Sequence, residues 1–250
     1  MPVLPGAQPW SSDGGDVGAL VLHGFTGSPQ GVRPWGEALA AGGLTVRVPR
    51  LPGHGTTWQE PEHHPLGRLV HRRRDRARRA CARAARPSSS PGCRSAARSP
   101  WPSPSLRGAD VDAIALVNPA VRFDDPRLRA LPVLKHLVPS LSGIGSDIAK
   151  EGAVEPGLPA AAAQGAALRR RRHRRGGPRA CRASPSRCWC CTRRRTTWCR
   201  RRAASLVLSR VSSKDVTDVV LGRAYHVATL DHDASTIEHE TLKLAQRVAG

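Results

Sequence analysis

Aromatic side chains are scarce in this chain: two phenylalanines, one tyrosine and six tryptophans in 250 residues, alongside a single methionine. Long apolar runs are missing too, and nothing approaches the roughly 20 consecutive residues that a membrane-spanning helix needs. The beginning of the chain has no basic segment followed by an apolar one, so the expectation is a cytoplasmic protein without a secretory leader. Cysteine is present, but without the pairing that metal sites use. Cys188, Cys190, Cys191 and Cys199, with His173 nearby, offer a single Cys-x-x-Cys spacing, from Cys188 to Cys191, and no second one to pair with it, so a metal is not expected.

Lysine is absent from residues 68–107 and 158–204, as are isoleucine, asparagine and phenylalanine. These stretches hold twelve and fifteen arginines against one acid, Asp75, and all seven cysteines, Cys81 and Cys93 in the first and Cys181, Cys188, Cys190, Cys191 and Cys199 in the second. The chain's net charge of +21 therefore resides in them, and the remainder is mildly acidic. A basic nucleic-acid-binding protein is the reading that such charge allows, and it rests on these stretches alone. Surfaces that track phosphates mix lysine with arginine and interleave aromatics, whereas here only Trp101, Trp189 and Trp198 occur, and Arg169 to Arg172 read as a solvated run. Arg, Ala, Pro, Ser, Gly, Cys and Trp together are what a high-GC gene yields when translated out of frame. With so few aliphatic residues, both stretches are expected to be poorly ordered. Ordering costs about 1–2 kcal/mol per residue, which they cannot offset by burial.

What remains reads as one α/β domain over 1–250. Residues 18–22 are a buried strand without alternation, as in a parallel sheet. Ser28 and Pro29 open a helix that runs to Ala41, with Ser28 as its cap, and Gly42-Gly43 stops it. Residues 44–48 form the next strand, so strand, helix and strand make a right-handed parallel crossover. Order is lost from about Pro61 and returns with a strand over 112–118. Residues 120–157 read as a small helical cap. From Gly157 to about Ala204 no core strand is expected, and 216–221 is the last strand. Ser235 caps a closing amphipathic helix with Ile237, Leu242, Leu244, Ala245 and Val248 toward the sheet.

Three short segments carry chemistry. In His23-Gly24-Phe25-Thr26-Gly27 the glycines let the chain turn back after the first strand and leave the Phe25 N–H facing a cleft, as an oxyanion hole requires. The second is Leu51-Pro52-Gly53-His54-Gly55, and the third is Tyr225-His226-Val227-Ala228-Thr229-Leu230-Asp231. Together they resemble the monoacylglycerol lipase and carboxylesterase branch of the α/β-hydrolase family, in order and in spacing, over roughly residues 17–60, 108–157 and 205–250. The resemblance implies a doubly wound, mostly parallel sheet and a serine-hydrolase mechanism without a cofactor. It makes His226 the general base, Phe25 a donor of the oxyanion hole, and an acyl ester or monoacylglycerol the substrate; it implies no nucleic acid and leaves the oligomeric state open.

Two parts of that machinery are missing. No Gly-x-Ser-x-Gly turn occurs anywhere, and the place for it reads Pro91-Gly92-Cys93-Arg94-Ser95-Ala96-Ala97-Arg98. The segment for the triad acid reads Cys188 to Trp198 and contains no acid. The strands around 87–92 and 187–192 are thus expected to be disrupted, and the chain to be inactive as written. Back-translation suggests why: with one permitted set of codons, Pro91 to Ser99 read from the third base spells Gly-Leu-Ser-Ile-Gly-Gly-Ser-Leu, a nucleophile turn of the family's kind. Cys190 to Cys199 read the same way can spell Val-Leu-His-x-x-Glu-Asp-His-Val-Val, the family's acid strand. Compensated frameshifts over 61–107 and 158–204 account for both. Ser95, beside Arg94 and without flanking glycines, is not read as a nucleophile. His23 and His54 are read as backbone-bonding loop residues, and Asp231 and Asp233 as loop and helix-start residues, with substitution for the absent triad acid as the alternative.

Overall fold

The computed structural model describes residues 3–24, 27–51, 54–56, 94–95, 112–119, 140–142, 147–155, 160–162, 187–193, 201–211 and 213–249. Strands β1 (Trp10–Ser12), β2 (Val17–Leu20), β3 (Thr45–Val48) and β4 (Arg94–Ser95) form one sheet in the order β1-β3-β2-β4. A second sheet, in the order β5-β8-β9, consists of β5 (Ala113–Val117), β8 (Arg187–Arg193) and β9 (Asp215–Leu221), all parallel. Between them in sequence, β6 (Ser140–Ser142) and β7 (Ala160–Ala162) make a short antiparallel ladder.

The expected crossover is present. Strand β2 pairs in parallel with β3, Gly18 opposite Thr45 and Leu20 opposite Arg47, and helix α1 (Arg33–Ala41) connects them. Trp35 and Leu39 lie one turn apart on α1 and are both buried against the sheet. Between them Gly36 lets the helix approach closely, since a Cβ there would come within 2.8 Å of the Val48 Cγ2 atom. The helix stops where expected: Gly43 adopts a φ of +89°, donates to the Ala40 carbonyl and releases the chain into β3.

Helix α2 (Arg201–Leu208) follows β8, and the closing helix α3 (Ala234–Ala249) packs across both sheets. Its Ile237, Leu244, Ala245 and Val248 are buried, and Leu242 packs at the margin of the core. They join Ala19, Val21, Leu39, Val46, Val48, Ala113, Ala115 and Leu221 in one apolar cluster that spans the two sheets. Full burial of each valine, leucine or isoleucine in it contributes about 1.5–3 kcal/mol, and each alanine less than about 1 kcal/mol.

The structure corrects several expectations. Residues 187–192 are not disrupted: β8 runs seven residues, with Ile114 opposite Cys188 and Cys188 opposite Val216. The expectation of no core strand between 157 and 204 therefore fails. Thr, Trp and Cys sit well in extended chain, and two parallel neighbours supply main-chain partners along the strand. The strand around 87–92 lies outside the described residues; just beyond it, β4 pairs with β2, Val17 opposite Arg94. Most of the helical cap over 120–157 is likewise outside the described residues, but its 140–142 portion is a strand rather than a helix, because it pairs with β7.

Ser28 does not cap an α-helix. Residues 29–31 form a separate 3-10 turn, α1 starts only at Arg33, and the buried Ser28 Oγ makes no cap hydrogen bond. At the other end, the Asp233 carbonyl accepts the N–H groups of Thr236 and Ile237, so α3 begins before Ser235, which lies within its first turn instead of capping it. No described helix is long and apolar enough to cross a membrane.

Candidate active site

Parallel strands leave their loops at a common edge of the sheet, and ligands of α/β proteins bind beyond that edge. The loops after β2, β3, β5 and β9 carry, in turn, the His23-Gly24 segment, Leu51 with His54, Asn118, and the 222–233 segment with His226.

His23 is 1% exposed and works as a bridge between two of these loops. The Leu51 N–H donates to its Nε2 at 3.1 Å, so Nδ1 carries the proton and donates to the Gly24 carbonyl at 2.9 Å. The His54 ring, 3% exposed, lies with its centroid 5.2 Å from that of His23, and the Arg50 guanidinium donates to the His54 carbonyl. His23 thus spans two of the loops through backbone hydrogen bonds, as the sequence suggested, and His54 is buried beside it. Phe25 and Thr26, which complete the turn, lie outside the described residues.

His226, half-buried, follows β9 in a loop held from several sides. Asn118, at the end of β5, donates through Nδ2 to the His226 carbonyl at 2.9 Å and to that of Tyr225 at 3.4 Å. The Val227 N–H donates to the Asp147 carbonyl at 3.2 Å. One turn on, the buried Thr229 hydroxyl donates to the Gly31 carbonyl at 2.6 Å and thereby joins the histidine loop to the turn that follows Gly27.

Asp231 and Asp233 brace the same loop. Asp231 accepts four backbone N–H groups: those of Ala149 and Tyr225 at Oδ2, and those of Lys150 and His232 at Oδ1. Burial by itself would raise its pKa; the four donors outweigh that and hold the carboxyl below its ordinary value. Asp233 is also lowered, burial being outweighed by the N–H groups of Arg223 and Ala224 and by the Arg223 side chain. Both carboxylates are thus committed to backbone donors in the loop, which speaks for the loop reading over the substitute triad acid.

Glu155 had no signal in the sequence. Its carboxylate lies over the turn after β2: a Cβ at Gly31 would come within 2.5 Å of Oε1, and one at Gly27 within 3.2 Å. Burial raises its pKa. Asn118, Thr229 and Asp147 were missed as well. Of these Thr229 stood inside the third motif without a role assigned to it, and Asn118 left a trace as the chain's single asparagine, directly after a buried strand. Ser95 falls in β4, and no group of three or more metal-ligating side chains comes together among the described residues.

No family model matches the chain. Residue by residue, it is 52% identical over 61 residues to the thermostable monoacylglycerol lipase of Bacillus sp. (strain H-257), covering 24% of each chain. It is 41% identical over 56 residues to a carboxylesterase of Bacillus subtilis (strain 168), covering 22% of this chain and 23% of that one. In both cases the match spans about a quarter of the relative's length. In three dimensions it is similar over 98% of its length to a metagenome-derived lipolytic enzyme from work on LipS and LipT, with a TM-score of 0.86, 28% identity and all of that chain covered. A soluble variant of monoglyceride lipase from Saccharomyces cerevisiae, solved with a substrate analog, has the same fold at 10% identity, with a TM-score of 0.75 over 96% of this chain and 90% of that one.

Proposed function

We propose that this chain is an α/β hydrolase of the lipase and esterase kind, and that the reaction its site is built for is hydrolysis of a carboxylic ester, an acyl ester of short or medium chain or a monoacylglycerol. The observation that carries the reading is that hydrogen bonds tie its three motif loops together, two directly and the third through the turn that follows Gly27. His23 joins the first to the second through Leu51, and Thr229 joins the third to the turn after the first through Gly31. In this reaction a serine hydroxyl adds to the acyl carbon while His226 takes its proton, and the Phe25 N–H stabilises the oxyanion. His226 then returns the proton to the departing alcohol, and water releases the acid by the same steps.

The serine and the acid that orients His226 are the parts this chain does not supply. Compensated frameshifts over 61–107 and 158–204 are the reading we adopt for their loss, and the chain as written is then inactive. High local identity to the Bacillus lipase beside 28% identity across the whole fold of the metagenomic enzyme supports a mixture of intact and altered segments. The nucleic-acid reading has only the charge of those stretches behind it.

The test is a pair of proteins, the chain as written and one with both frames restored. The first should neither hydrolyse a short-chain aryl ester at an enzymatic rate nor react with a serine-directed fluorophosphonate. The second should do both, and His226→Ala in it should lower turnover by about 10³-fold or more. Stoichiometric labelling of the first protein, or full activity of the substituted second, overturns the reading.

A further inference from the structure

We infer that Asn118 is a positioning residue for His226, acting with Asp231 as a two-sided clamp on the main chain that presents the imidazole. The inference rests on the reading of His226 as the base and names what sets its orientation. From the β5 side the two Nδ2 protons of Asn118 meet two successive carbonyls, those of Tyr225 and His226. On the other side, Asp231 Oδ2 receives the Tyr225 N–H together with that of Ala149. Asn118 thus holds both peptide groups that flank His226, and Asp231 holds the peptide group just before them and links this stretch to segment 147–150; both side chains come from outside the catalytic machinery. That segment also receives the Val227 N–H at the Asp147 carbonyl.

The residue type at 118 follows from two demands at once. The backbone there has a φ of +44°, in the left-handed region that asparagine tolerates better than most side chains, and the position is 5% exposed. The two carbonyls also require a neutral group with two donors. Reversing the amide would set Oδ1 against both carbonyl oxygens, so the assigned orientation is the one the contacts permit. Aspartate keeps the shape and supplies only acceptors. Glycine meets the backbone demand in full and supplies nothing to the carbonyls.

That separation makes the clamp testable on the full chain. His226 is followed through its imidazole resonances by NMR titration, assigned with His226→Ala, in Asn118→Gly, Asn118→Asp and Asp231→Asn. Thermal unfolding of each variant is measured alongside. The readout needs no substrate, so it stands whether or not the protein turns over an ester. In Asn118→Gly the fold should survive while the His226 titration midpoint moves by about 0.3 pH unit or more and its resonances broaden. Asn118→Asp should move it further, and Asp231→Asn should move it while also perturbing the resonances of residues 147–150. An unchanged His226 titration in folded Asn118→Gly overturns the inference. So does unfolding of that variant, which would make Asn118 a determinant of the fold and not of the base.

Discussion

Strands β4 and β8 come from the same kind of sequence, rich in arginine and poor in aliphatic residues, and they differ in the neighbours that the described residues give them. β4 has one partner among the described residues, β2. β8 lies between β5 and β9, whose own sequences are strand-like, and is bonded to both along its length. A slot with main-chain donors and acceptors on both sides orders a sequence whose own preference is weak.

The sharpest way to break this comparison is proline. Cys190→Pro in the middle of β8 removes a donor between two neighbours and should cost about 3 kcal/mol or more. Ser95→Pro in β4 should cost clearly less. Urea unfolding of the two variants measures the difference, and equal losses would mean that the flanking strands do not hold β8.

A second test asks whether the motif loops are held as firmly as β8. Asp231→Asn turns one carboxylate oxygen into an N–H donor, withdraws the acceptor from two of the four N–H groups and removes the charge the others bond, and should cost about 2–3 kcal/mol at neutral pH. Because the folded carboxyl titrates below its ordinary value of 3.8, its contribution is complete above that value and is lost as the pH falls further. The gap between the two proteins should therefore be constant near neutrality and close below about pH 4 on unfolding curves taken across pH.

Thr229→Val is milder. It removes the hydroxyl that bonds Gly31 and should cost about 1–2 kcal/mol, seen as a lower melting temperature. Hydrogen exchange should quicken in both the 228–230 turn and residues 29–31, the two segments that this bond joins.

The smallest effect has the opposite sign. Burial raises the pKa of Glu155 above its ordinary 4.5, so its ionisation opposes folding as the pH rises through the raised value. Glu155→Gln should be slightly more stable than the parent at neutral pH, and the advantage should vanish toward pH 4, as melting temperatures at the two pH values would show.

The crossover from β2 through α1 to β3, the strands β5 and β9, and the closing helix were legible because each needs only local information. An unbroken apolar run, a glycine stop or a helical stripe of aliphatics states its own structure. The three motif loops were legible for the same reason, down to His23 as a backbone-bonding residue. Other features depended on contacts that no short window of sequence contains. β8 exists because β5 and β9 flank it, and α1 starts late because a 3-10 turn precedes it. Asn118, Asp147, Thr229 and Glu155 join the site because the fold brings loops distant in sequence within hydrogen-bonding or packing distance. Local propensity and hydrophobic period are properties of neighbours along the chain, whereas the partners of a main-chain group or a buried polar side chain are set by folding.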